Sequence, residues 1–142
     1  MLTLTNNEIF ALGQAGMAKL DYTVVPVEHA YKVYTLRREI MKVFRSVQDE
    51  QGEIVRESFG DRLDDVRKYE ENQSGMTKEE YDALQKEARS RSLPMLEELG
   101  AKEVELDVKA IPFEAWLELR KGNPFLAGFE DILAGIITEN NE

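Results

Sequence analysis

Val33, Leu36, Ile40, Val43 and Val47 recur at steps of three, four, three and four. That spacing places apolar side chains on one face of a helix, and over this window it also fits a short heptad seam. Glu28 to Gln51 therefore reads as one long amphipathic helix. The rest of the chain must pack against it, because packing rather than propensity supplies most of a helix's stability. Tyr34, Met41 and Phe44 widen the stripe on one side, which predicts more than one neighbour. Arg38, Lys42 and Arg45 fall together on another face. Pro26 suits the helix entry, where a missing N–H costs nothing. Gly52 suits an exit or a kink.

A return leg is expected over residues 77–99. Thr77 and Glu80 form a capping box. Tyr81, Leu84, Ala88, Met95 and Leu99 then mark a core-facing side, and Gly100 ends the helix. Pro94 inside this pattern predicts a kink or a division, with Ser92 as a second cap. Between the legs, Ile54, Phe59, Leu63, Val66 and Tyr69 can carry a further helical piece that Gly60 interrupts. Asn72-Gln73-Ser74-Gly75 is a polar loop. A helical hairpin over about 27–99 follows.

The period then changes. In Glu103 to Ile111, Val104, Leu106 and Val108 alternate with Glu103, Glu105, Asp107 and Lys109, the pattern of a strand with one apolar and one charged face. A strand needs a partner, and Leu2 and Leu4 alternate with Thr3 and Thr5 at the other end of the chain. A two-stranded ribbon of about 2–5 and 103–111 is expected, with helices on its apolar face. Thr5 or Asn6 can cap a first helix that buries Ile9, Leu12, Met17 and Leu20. Gly13 and Gly16 lie in this helix, where they either allow close approach by another helix or leave it frayed, close packing being the plainer reading. Two C-terminal helices are expected. One covers about 113–121, with Trp116, Leu117 and Leu119 as anchors. The other covers about 124–137, capped by Asn123 and burying Phe125, Phe129, Ile132, Leu133 and Ile136, with a polar tail beyond it. The fold class is mainly α with a small β ribbon, in a single domain spanning the 142 residues.

Charge narrows the functional classes. The net charge is −10, and residues 97–142 carry eleven acids against four bases. Direct nucleic-acid binding is disfavoured, since it depends on neutralising phosphates. The acidic third suits a basic protein surface or mimicry of a nucleic acid, and it also complements the basic stripe of the central helix. Cysteine is absent, so disulfides, thiolate metal sites and a Cys nucleophile are excluded. No apolar run is long enough for a bilayer, and the opening MLTLTNNEIF has no signal-peptide core. Export is therefore not expected, and the lack of cysteine suits a reducing cytosol.

Chemistry-bearing constellations are few. His29 is the one histidine, beside Glu28, so no transition-metal site is expected. No P-loop, dinucleotide fingerprint or nucleophile elbow is present. On a strand Glu105, Asp107 and Lys109 would share a face, an arrangement seen in metal-dependent nucleases. The plainer reading is the solvated side of an amphipathic strand. No cofactor is expected. The candidate partner-binding residues are Glu103, Glu105, Asp107, Trp116 and Glu118.

The opening LTLTNNEIFAL, the helix with YKVYTLRREI and the closing VELDVKAIPFEAWLEL together resemble small proteins encoded by tailed bacteriophages and prophages. The resemblance covers the layout of most of the chain and implies a phage origin without assigning any site. It suits a non-enzymatic protein acting by protein–protein contact, as a virion or assembly component that can self-associate. The alternative is an inhibitor of a host defence complex, anti-CRISPR-like, binding through its acidic surface. A nuclease ranks third. The partner is then a phage structural protein or a host effector, and the resemblance implies a host cytoplasm or a virion as the location.

Overall fold

A computed structural model describes residues 1–73 and 75–138. The expected loop position Ser74 and the expected polar tail at 139–142 lie outside the described residues. The chain divides into two compact units, the first comprising Met1–Ser46 with Ala101–Glu142 and the second Val47–Gly100.

The first unit opens with β1 (Leu2–Thr5), which runs directly into α1 (Asn6–Ala15). Thr5 caps that helix through a reciprocal box. Its hydroxyl accepts from the Glu8 N–H at 3.1 Å, and its own N–H donates to Glu8 at 2.8 Å. Gly16 is the C-cap, so α1 is shorter than the expected helix. Gly13 lies within α1 because Phe44 packs onto it: a Cβ there would come within 2.2 Å of that ring. Phe44 in turn stacks on Phe10 at 5.1 Å.

The second strand, β2 (Glu103–Leu106), pairs antiparallel with β1 in the register Leu2↔Leu106, Thr3↔Glu105, Leu4↔Val104 and Thr5↔Glu103. The expected ribbon is thus present, but its second strand stops at Leu106 instead of reaching residue 111. β1 offers no strand residue beyond Leu2 to pair with. The Val108 N–H also turns back to the Leu106 carbonyl at 3.0 Å. That short turn keeps Val108 in the core and takes residues 107–110 off the ladder. The chain resumes as β3 (Ile111–Pro112), parallel to β4 (Ile137–Thr138).

The long central helix, α2 (Val27–Phe59), begins one residue after Pro26, whose carbonyl accepts the Ala30 N–H. Its residues Val33, Leu36 and Ile40 are fully buried in one apolar cluster with Leu2, Leu4, Ile9, Leu12, Leu106, Trp116 and Leu119. The helix passes through Gly52 without ending. An interior glycine costs about 1 kcal/mol, which a helix of this length absorbs.

After α5 (Phe113–Gly122), the expected 124–137 helix is replaced by several short pieces. These are a 3-10 stretch at Pro124–Phe129, one α turn (α6, Glu130–Leu133), a second 3-10 turn at Ala134–Ile136, and β4. Gly128 and Gly135 weaken helix here, and the pieces still bury Leu126, Leu133 and Ile136. Asn123 does not cap this stretch. It is buried, and it clasps the Asp21 backbone from both sides: its Oδ1 accepts the Asp21 N–H at 2.8 Å, and its Nδ2 donates to the Asp21 carbonyl at 3.0 Å.

In the second unit the end of α2 leads into a 3-10 turn at Gly60–Arg62 and then α3 (Leu63–Glu70). Gly60 adopts φ +56°, which breaks the helix where the sequence predicts an interruption. The last long helix, α4 (Lys78–Ala101), starts on Thr77, whose hydroxyl accepts the Glu80 N–H. It continues through Pro94, so the expected division there is absent, and Ser92 bonds back to Arg89 instead of capping. Arg91 donates to the Ser58 carbonyl at 3.2 Å and Tyr69 stacks on Tyr81 at 4.2 Å, so α4 returns antiparallel to α2 and α3. The antiparallel pair is described for 47–100; residues 27–46 of the expected hairpin belong to the first unit.

Replacing Ile40 by Ala should cost about 2–5 kcal/mol of stability, because it opens a cavity in the centre of the core. Val27, on the same helix, is 92% exposed, so Val27→Ala should leave the melting temperature nearly unchanged. Thermal melts of the two variants check this, and equal shifts would contradict the placement of the core.

Candidate interaction surface

The hairpin of the second unit buries little of its apolar content. Among its described residues the buried apolar side chains are Val47, Val66 and Ala88. Ile54, Phe59, Leu63, Leu84, Leu96 and Leu99 stop at half burial. Val55, Leu93 and Met95 are 42%, 51% and 49% exposed. Met95 was expected to face inward, but Ser92 occupies the buried seam. The cause is the choice of residues on the seam. Ser58, Ala88 and Ser92 are small, so they fill little of the space between the helices. A depression of about 280 Å³ remains there, walled by Val55, Phe59 and Leu96 and edged by Gln85 and Arg89. Two helices alone have one mutual interface, and apolar groups outside it stay in water.

In the first unit Glu103 and Glu105 are exposed on the outer face of β2, opposite Thr5 and Thr3. Asp107 is exposed too, but beyond the strand, so the same-face argument that joined it to Glu105 and Lys109 does not hold. Asp107 and Lys109 instead line a depression of about 290 Å³ with Tyr31, Lys32, Thr35, Arg38 and Glu39. Glu118 lines a separate one, with Pro26, Glu28, His29, Pro112, Glu114 and Ala115. Trp116 is 2% exposed and belongs to the core. Its expected place on a partner surface is corrected by α5, which turns Ala115, Trp116 and Leu119 inward and leaves Phe113 and Leu117 exposed.

A basic, aromatic face also runs along the first-unit part of α2. Val27, Tyr31, Arg38, Lys42 and Arg45 are exposed on it. Arg37, Arg38 and Arg45 surround a depression of about 210 Å³ with Ala18, Tyr34 and Met41, and no acid among the described residues lines it. Arg37 is held rigidly: it donates to the Leu20 carbonyl at 3.2 Å and lies over the rings of Tyr22 and Tyr34 at 5.0 and 5.6 Å. Sequence periodicity identifies Arg38, Lys42 and Arg45. It misses Tyr22 and Arg37, because Tyr22 comes from the connector before the helix and no local pattern marks it.

Comparison with known protein families, characterised proteins and solved structures finds no match.

The turn end of the hairpin carries one measurable electrostatic signature. The Tyr81 hydroxyl donates to Glu70 Oε1 at 2.9 Å. That bond, helped by partial desolvation and by the charge of Glu70, raises the phenol above its ordinary value of 10.0. The folded state favours the neutral phenol. Its contribution is therefore full below the ordinary pKa and lost as pH rises through the raised one. Tyrosinate absorbance should show one late-titrating phenol that moves toward the ordinary value in Glu70→Gln. An unchanged titration curve in that variant would contradict the contact.

Proposed function

We propose that this is a non-enzymatic phage-type protein that works by protein–protein contact, as a virion or assembly component, and that the hairpin is its docking element. The observation that supports this reading is the half-buried seam of the second unit: Val55, 42% exposed, together with Phe59 and Leu96, walls a groove floored by small residues. Exposed apolar side chains around one groove mark interaction sites, and a groove between two helices suits a third helix laid into it. A partner helix would complete the packing that two helices cannot close.

The exposed acids Glu103, Glu105 and Asp107 favour a second reading. In that reading the chain inhibits a host defence complex by presenting acids to a basic groove, and charge steers the encounter.

Affinity capture separates the two. The tagged chain is captured from cells carrying the genome that encodes it, alongside a Val55→Asp variant. Val55 lines the groove and is 42% exposed, so the substitution should leave stability within about 0.5 kcal/mol. The expected result is phage structural proteins in the wild-type eluate, reduced about tenfold or more in the variant, as for a contact residue in a docking groove. An eluate holding only host defence subunits, lost on Glu103→Lys with Glu105→Lys, would favour the second reading. An eluate in which neither set of substitutions changes anything would overturn both.

A further inference from the structure

We infer that the first unit carries a self-recognition device, in which the basic face of α2 in one copy receives the acidic outer face of β2 in another. The inference deepens the contact-protein reading and rests on it, but it uses different residues from the hairpin groove.

Both halves of the contact are on this chain. Lys42 and Arg45 are exposed and make no ion pair among the described residues, and the same holds for Glu103 and Glu105. Arg38 makes one ion pair among the described residues, with its sequence neighbour Glu39 at 3.4 Å, and also lies over the Tyr34 ring. Charges left over in one row are matched by opposite charges left over in the other. The spacing agrees as well. Arg38 and Lys42 are one turn apart, about 6 Å along the helix axis. Glu103 and Glu105 are two residues apart on a strand, about 7 Å. The basic row also has an aromatic component, since Tyr31 is 68% exposed one turn before Tyr34, and Tyr with Arg is the composition that concentrates binding energy at interfaces. Arg37, fixed between Tyr22 and Tyr34, keeps that part of the face in one conformation before binding.

In each contact the basic row on α2 of one copy meets the acidic row on β2 of another, so the two partners of the contact are different patches of the same chain. The net charge of −10 opposes association at long range. At physiological salt the Debye length is about 8 Å, so charges in direct contact outweigh distant ones. The association is weak and salt-sensitive, because each exposed pair contributes at most about 1 kcal/mol.

Sedimentation velocity over a concentration series tests this with surface variants that leave the core intact. One carries Arg38→Glu, Lys42→Glu and Arg45→Glu. The other carries Glu103→Arg and Glu105→Arg. The wild-type chain should self-associate at about 0.1 M salt and dissociate at about 0.5 M, where screening shortens the range to a few ångströms. Each variant alone should be weakened about tenfold or more, and an equimolar mixture of the two should regain association, because the reversed rows are complementary again. A wild-type chain that stays monomeric throughout, association that ignores both variants, or a mixture that fails to recover would each overturn the proposal. Any of these, with capture of a partner through the hairpin groove intact, would leave the contact-protein reading standing.

Discussion

Burial of one stripe of α2, Val33 with Leu36 and Ile40, is the interaction on which the first unit depends. These three side chains join the ends of the chain in a single cluster: Leu2 and Leu4 from the first strand, Leu106 from the second, Trp116 and Leu119 from α5. Their sequence separation is large, so the core forms only when distant segments meet, which makes it a late and cooperative structure. The close approach of Phe44 to Gly13 shows how tightly one neighbour is held, since even a methyl group would not fit. Core packing at native density tolerates little change of this kind.

The same helix changes character after Ser46, where the second unit begins. Its seam there is Ser58 against Ala88 and Ser92 of α4, and the larger apolar groups Val55, Phe59 and Leu96 stand at the sides. Residues 47–100 carry fifteen acids and eight bases. Short-range pairs such as Arg56 with Glu53, Arg62 with Asp65 and Arg91 with Glu87 hold the helices locally, each contributing a few tenths of a kcal/mol. Such a hairpin is stabilised mainly by local contacts. It leaves apolar groups in water that a partner could cover.

Much of the fold is legible in the sequence where a periodicity is backed by a cap or a break. The stripe on α2, the caps at Thr5 and Thr77, the break at Gly60 and the pairing of Leu2–Thr5 with the strand after Lys102 all follow from such local signals. The failures have physical causes. The alternation of Glu103 to Ile111 continues past Leu106, but pairing is limited by the shorter partner strand, which sequence pattern does not measure. Phe125 to Ile136 has helical spacing, yet two glycines and a parallel pairing of Ile137 divide it. Pro94 lies inside an unbroken α4, against the division its sequence position predicts. The candidate site was half legible. Charges on a strand face are visible as alternation, whereas Trp116 looks the same in a sequence whether it faces a core or a partner. The half burial of the hairpin seam depends on side-chain size across two helices, and no single window contains both.

The central claim is that the packed core belongs to the first unit and that the hairpin has none of its own. Native-state hydrogen exchange on the full chain measures this directly, because amides report the free energy of the opening that exposes them. The account predicts the slowest exchange at Val33 to Phe44, in β1 and in α5, close to the global stability. Residues 47–100 should exchange through smaller openings, several kcal/mol below it. Hairpin amides as slow as those of Leu36 and Ile40 would contradict the account.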